Sequence, residues 1–88
     1  MKLYENLHNL MDYSPKDNFV TSAEEIEYIK KTLKLDECDS DDIYNYRTIV
    51  VLLWGNRAME ARKNEDFDEH DKLWNAMMSI TAVLDSIR

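Results

Sequence analysis

Residues 49 to 54, Ile-Val-Val-Leu-Leu-Trp, constrain this chain more than any other stretch. Six consecutive apolar residues lie inside a segment that otherwise keeps helical spacing. A helix ringed by apolar side chains has to be covered on every side. The rest of the chain, or a second copy of it, must therefore wrap that belt. The competing reading is a buried strand, because β-branched residues open the run. The flanking residues keep a helical period and offer no turn signal before Asn64, which favours the helix.

One glycine and one proline in 88 residues leave too little turn chemistry for a β-rich fold. Leu3, Leu7, Leu10 and Met11 share a face and predict a first helix over 2–13, which Ser14-Pro15 ends. In the linker 14–20, Phe19 and Val20 are expected to enter the core. A second helix starts at Thr21 or Ser22. Each has a glutamate three residues on (Glu24 or Glu25), as a capping box requires. Ile26, Ile29 and Leu33 form its apolar face, and Leu35 closes its end.

Residues 36–42 hold five acids in seven positions, where a third helix should begin. Ser40 is the expected N-cap, and Asp41 and Asp42 suit the positive end of the helix dipole. The third helix is predicted over about 41–63, with an inner row of Ile43, Arg47, Val50, Trp54, Ala58 and Ala61. A fourth covers 67–87, where Leu73, Met77, Ile80, Leu84 and Ile87 alternate at spacings of four and three, a coiled-coil-like seam. Phe67, Trp74 and Met78 lie on the adjoining row. The short connection Asn64-Glu65-Asp66 folds the two long helices antiparallel. Pairing outward from the turn sets Ala61 against Phe67, Trp54 against Trp74, Val50 against Ile80 and Ile43 against Ile87.

The expected fold is all-α. A long antiparallel helical hairpin (about 41–63 and 67–87) packs with two shorter N-terminal helices in a small helical bundle, a single domain over 1–88. The apolar faces exceed what two short helices can cover, so a homodimer is expected. Its contact would use Ile49, Leu52 and Met59, or the row Leu73, Ile80 and Ile87.

Charge narrows the partners. Eighteen acids against eleven bases give a net charge of −7. Such a surface is repelled by nucleic-acid backbones and anionic membranes. The single cysteine, Cys38, fits a reducing compartment. The N-terminal residues carry no apolar core of signal-peptide length. The expectation is a cytoplasmic protein.

Catalytic chemistry finds little support. Acidic clusters at 24–27, 36–42 and 65–71 fall at helix starts, and basic residues fall at helix ends, which is what the helix dipole favours. Asp39-Ser40-Asp41 fails as a calcium loop, because Ile43 takes the next ligand position and no glycine follows. Glu5 and His8 make half of a di-metal motif. Acids surround Cys38 and blunt its thiol as a nucleophile. No catalytic residue, metal ligand or cofactor is assigned.

The expected function is a small acidic, non-catalytic protein–protein interaction protein, a regulator or inhibitor that occupies a partner's surface, in the style of a bacterial or phage accessory protein. Tyr44, Tyr46, Arg47 and Arg57 are its candidate contact residues, since tyrosine and arginine dominate binding hot spots. For Arg47, an ion pair with Asp85 across the hairpin is the structural alternative. A second function is an oligomeric binder of a nucleotide-like anion, held by Tyr44, Arg47 and Arg57. A third is a magnesium-dependent helical nucleotide pyrophosphohydrolase using the carboxylate pairs Glu24/Glu27 and Glu65/Asp68.

Overall fold

The computed structural model describes residues 2–15 and 22–87. Among the described residues four α-helices follow one another and there is no strand: α1 (Leu3–His8), α2 (Ala23–Leu33), α3 (Ser40–Lys63) and α4 (Phe67–Ser86). The long pair α3 and α4 packs as a helical hairpin, and α1 and α2 lie against it.

Local chemistry explains the boundaries. Ser22 caps α2 with a full capping box: its Oγ accepts from the Glu25 N–H, and the Glu25 carboxylate accepts from the Ser22 N–H. Lys34 ends α2 in the left-handed region, with φ 53°. A single 3₁₀ turn, Leu35–Glu37, buries Leu35. The N-cap of α3 is Asp39, one residue before the expected Ser40. Asp39 stays extended, and its carboxylate and that of Asp42 each accept the other's backbone N–H. At the hairpin turn Glu65 takes the left-handed conformation, with φ 61°. Asp66 then caps α4 by accepting from Glu69 N–H.

The first helix is shorter than the 2–13 expected. After His8 the backbone tightens into successive i→i−3 hydrogen bonds at Leu10, Met11 and Tyr13. These turns bury Leu10 beside Leu7. Thr21, Phe19 and Val20, named above for the linker and the start of the second helix, lie outside the described residues.

The core joins Leu7, Leu10, Ile29, Leu33 and Leu35 to one face of each long helix. Three expectations about that face are corrected. The inner row of α3 is Ile43, Tyr46, Val50, Trp54, Ala58 and Ala61, with Tyr46 in the place given to Arg47. On α4 the buried positions are Leu73, Ala76, Met77, Ile80, Val83 and Leu84. Trp54 is fully buried, whereas Trp74 is 44% exposed, so the two tryptophans do not share a buried layer. Phe67, placed against Ala61 by simple pairing, is also exposed. The physical reason is the side from which α1 and α2 approach. α2 packs on α4, and Tyr13 reaches Ser79 on the flank of α4 that also carries Ala76 and Val83, so Trp74 is left on the other flank.

Candidate interaction surface

On α3, Tyr46 and Arg57 turn toward the α1 segment. Tyr46 Oη accepts from Asn6 Nδ2 at 2.9 Å, and Arg57 Nη1 points at the Met11 sulfur. On α4, Ser79 bonds Tyr13, which also donates to Glu25 of α2. These contacts mark the inner side of the hairpin. At about 100° per residue, Tyr44, Thr48, Val51, Gly55 and Met59 form a stripe turned away from it. So do Phe67, Trp74 and Met78 on α4. All the large side chains of both stripes are exposed, Met59 at 60%, and so is Leu52 beside the α3 stripe, at 57%. The outer face of the hairpin is thus an apolar surface running along both long helices.

Polar atoms on this face are largely satisfied within the chain. Thr48 Oγ1 bonds back to the Tyr44 carbonyl, and Thr81 Oγ1 to the Met77 carbonyl. His70 stacks on Trp74 with ring centroids 6.0 Å apart. Arg47 Nε donates to Asp85 Oδ1 at 2.9 Å across the hairpin, with both side chains about half exposed. A pair this accessible contributes at most about 1 kcal/mol.

Gly55 sits in the middle of the α3 stripe. A methyl group added there would meet nothing within 4 Å, and its backbone has no positive φ. Neither packing nor conformation within the chain requires glycine, although it costs α3 roughly 1 kcal/mol relative to alanine.

The expected contact residues divide. Tyr44 is exposed and belongs to the outer face. Tyr46 is corrected: its ring is fully buried, its hydroxyl donates to the Leu33 carbonyl at 2.6 Å, and burial pushes its pKa up. Arg47 is engaged by Asp85. Arg57 sits at the far side of α3, and the ten residues between it and Arg47 span roughly 15 Å. Tyr44, Arg47 and Arg57 do not converge on one anion. Leu52 and Met59 lie on the outer face, but Ile49 packs half-buried against the core. The alternative row is corrected: Leu73 and Ile80 are buried in the chain's own core and cannot contact a second copy, while Ile87 lies partly exposed just beyond α4. Sequence reasoning missed Val51 as an outer-face residue. Its spacing of seven from Tyr44 was the available signal.

The carboxylate pairs are likewise apart. The Glu25 end of α2 is tied through Tyr13 to Ser79, and from there to Asp68 is about three turns of α4, roughly 16 Å. Among the described residues, no group of three or more histidine, cysteine or acidic side chains is placed to hold a metal ion. The Cys38 thiol donates to the Lys34 carbonyl. Burial pushes its pKa up, and Asp42, Asp39, Glu37 and Asp36 add to the shift. Among the described residues no helix is long and apolar enough to cross a membrane.

Fold and surface together define an all-α hairpin protein with one broad apolar outer face. No protein-family model matches the chain, and neither the curated proteins nor the solved structures gave a significant match.

Proposed function

We propose that this chain is a small acidic, non-catalytic protein–protein interaction protein, a regulator or inhibitor that works by occupying another protein surface. The observation that carries the reading is the outer face of the hairpin, where Tyr44, Val51, Leu52, Met59, Phe67, Trp74 and Met78 stand exposed together. Aromatic residues and methionine are enriched in the buried centres of interfaces. Contiguous apolar surface of this kind marks contact sites. The charge of −7 steers such a protein toward basic protein surfaces and away from phosphate backbones. The lone cysteine suits a cytoplasmic setting.

The test compares tagged wild-type protein with Leu52→Glu and Trp74→Ala in capture from extracts of the native cell. The expected result is a partner retained by the wild type and lost by both variants, with circular dichroism unchanged. Capture indifferent to both substitutions would overturn the assignment of the outer face.

A further inference from the structure

We propose that the outer face is occupied by a second copy of this chain, with α3 packed antiparallel on its twofold mate about the bond between Val51 and Leu52. The inference rests on reading this surface as a protein-binding face and names the occupant that it has while no other protein is bound there.

A twofold interface must be its own complement: whatever residue i meets must in turn meet residue i. The exposed stripe of α3 has that property. Counting outward from the Val51–Leu52 bond, Leu52 falls opposite the mate's Val51, and Gly55 opposite Thr48. Further out, Met59 falls opposite Tyr44, and Arg62 opposite Asp41. Each pairing fits in kind. Branched apolar residues meet at the axis. Gly55, with open space where a side chain would be, receives Thr48, whose hydroxyl is already bonded within its own helix and whose methyl is free to pack. A flexible thioether meets an aromatic ring, a favourable pairing. An arginine at a helix C-terminus meets an aspartate in the first turn of its mate, on both rims. Antiparallel α3 helices also set opposite dipole ends together.

Glycine at position 55 then has a reason that the single chain does not supply. It is the shallow point at which two helices can approach closely. Trp74 and Met78 flank the seam and widen it. At 1.5 Å per residue the hairpin face is about 36 Å long, and two helices side by side are roughly 20 Å wide. That area is of the same order as the ~800 Å² per partner buried in stable interfaces.

Sedimentation velocity on the wild type should give twice the single-chain mass of 10.5 kDa at micromolar concentration. Leu52→Glu should raise the dissociation constant roughly a hundred- to a thousand-fold, by trapping an unpaired charge at the axis. Asp41→Arg and Arg62→Asp should each weaken the dimer about ten-fold, and the double variant should restore it. In a Cys38→Ser background, Leu52→Cys should form an intermolecular disulfide on oxidation, whereas Tyr44→Cys, far from the axis, should not. A double charge variant no tighter than either single one, or equal cross-linking by the two cysteines, would overturn the antiparallel pairing. A wild-type mass of one chain at every concentration would overturn the dimer itself. Should Leu52→Glu still abolish capture of another protein in that case, the interaction function stands and only the self-pairing falls.

Discussion

The hydroxyl of Tyr46 donates to the backbone carbonyl of Leu33 at 2.6 Å, thirteen residues away, while accepting from the Asn6 amide. One buried oxygen thereby joins α1, the end of α2 and α3. It also satisfies a carbonyl at a helix C-terminus, where intrahelical donors are lacking.

Tyr46→Phe should keep the fold and lose about 1–3 kcal/mol, because the substitution leaves the Leu33 carbonyl and the Asn6 amide without that partner in a buried place. Urea denaturation measures it. Stability equal to the wild type would show that this junction is not held by its polar contacts.

The two tryptophans should separate cleanly. Trp54→Ala removes a fully buried side chain and should cost roughly 3–5 kcal/mol, enough to unfold a domain of this size. Trp74→Ala, on the outer face, should cost only about 1 kcal/mol in the isolated chain. Thermal melts of both variants decide the matter, and a Trp74→Ala loss as large as that of Trp54→Ala would contradict the burial pattern.

The start of α3 offers a comparison between neighbours. Asp39→Ala should destabilise by about 0.5–2 kcal/mol through loss of the reciprocal cap. Ser40→Ala, one position inside the helix, should change stability by no more than about 0.5 kcal/mol. The reverse order would move the cap to Ser40.

Stability should fall on the alkaline side. Burial raises the pKa of Cys38 above the ordinary 9.0, and those of Tyr13 and Tyr46 above the ordinary 10.0. For each group the folded chain favours the neutral, protonated form. The contribution is fully present below the unfolded value and is lost as pH rises through the higher folded value. Melting temperature should therefore fall as pH climbs past about 9 and then past 10. Tyr46→Phe should show a shallower alkaline decline than the wild type. An unchanged melting temperature over that range would refute the linkage.

Much of the architecture was legible in the residues. Both long helices could be bounded to within a residue or so, because caps, acidic first turns and apolar period agree there. Arg47 could be matched with Asp85 by counting from the hairpin turn. The choice of inner face was less legible. Tyr46 and Arg47 are neighbours 100° apart at the edge of the core, and either could point inward. The deciding factor was the presence of Asn6 and the Leu33 carbonyl beside Tyr46, contacts made over 40 and 13 residues. On α4, Ala76 and Val83 are smaller than Trp74 and Met78, yet the smaller pair is buried. Bulk on a helix face signals burial somewhere, but not whether by the chain itself or by another molecule. The outer face escaped full recognition for that reason.

The opposite settings of Trp54 and Trp74 have a practical consequence. The chain carries two native fluorophores, one sealed in apolar surroundings and one stacked on His70 at the surface. Emission from Trp54 should be blue-shifted and shielded from aqueous quenchers, and emission from Trp74 red-shifted and open to them. With one tryptophan replaced by phenylalanine at a time, the protein becomes its own pair of optical reporters. One follows the closing of the interior, the other the arrival of whatever meets the outside.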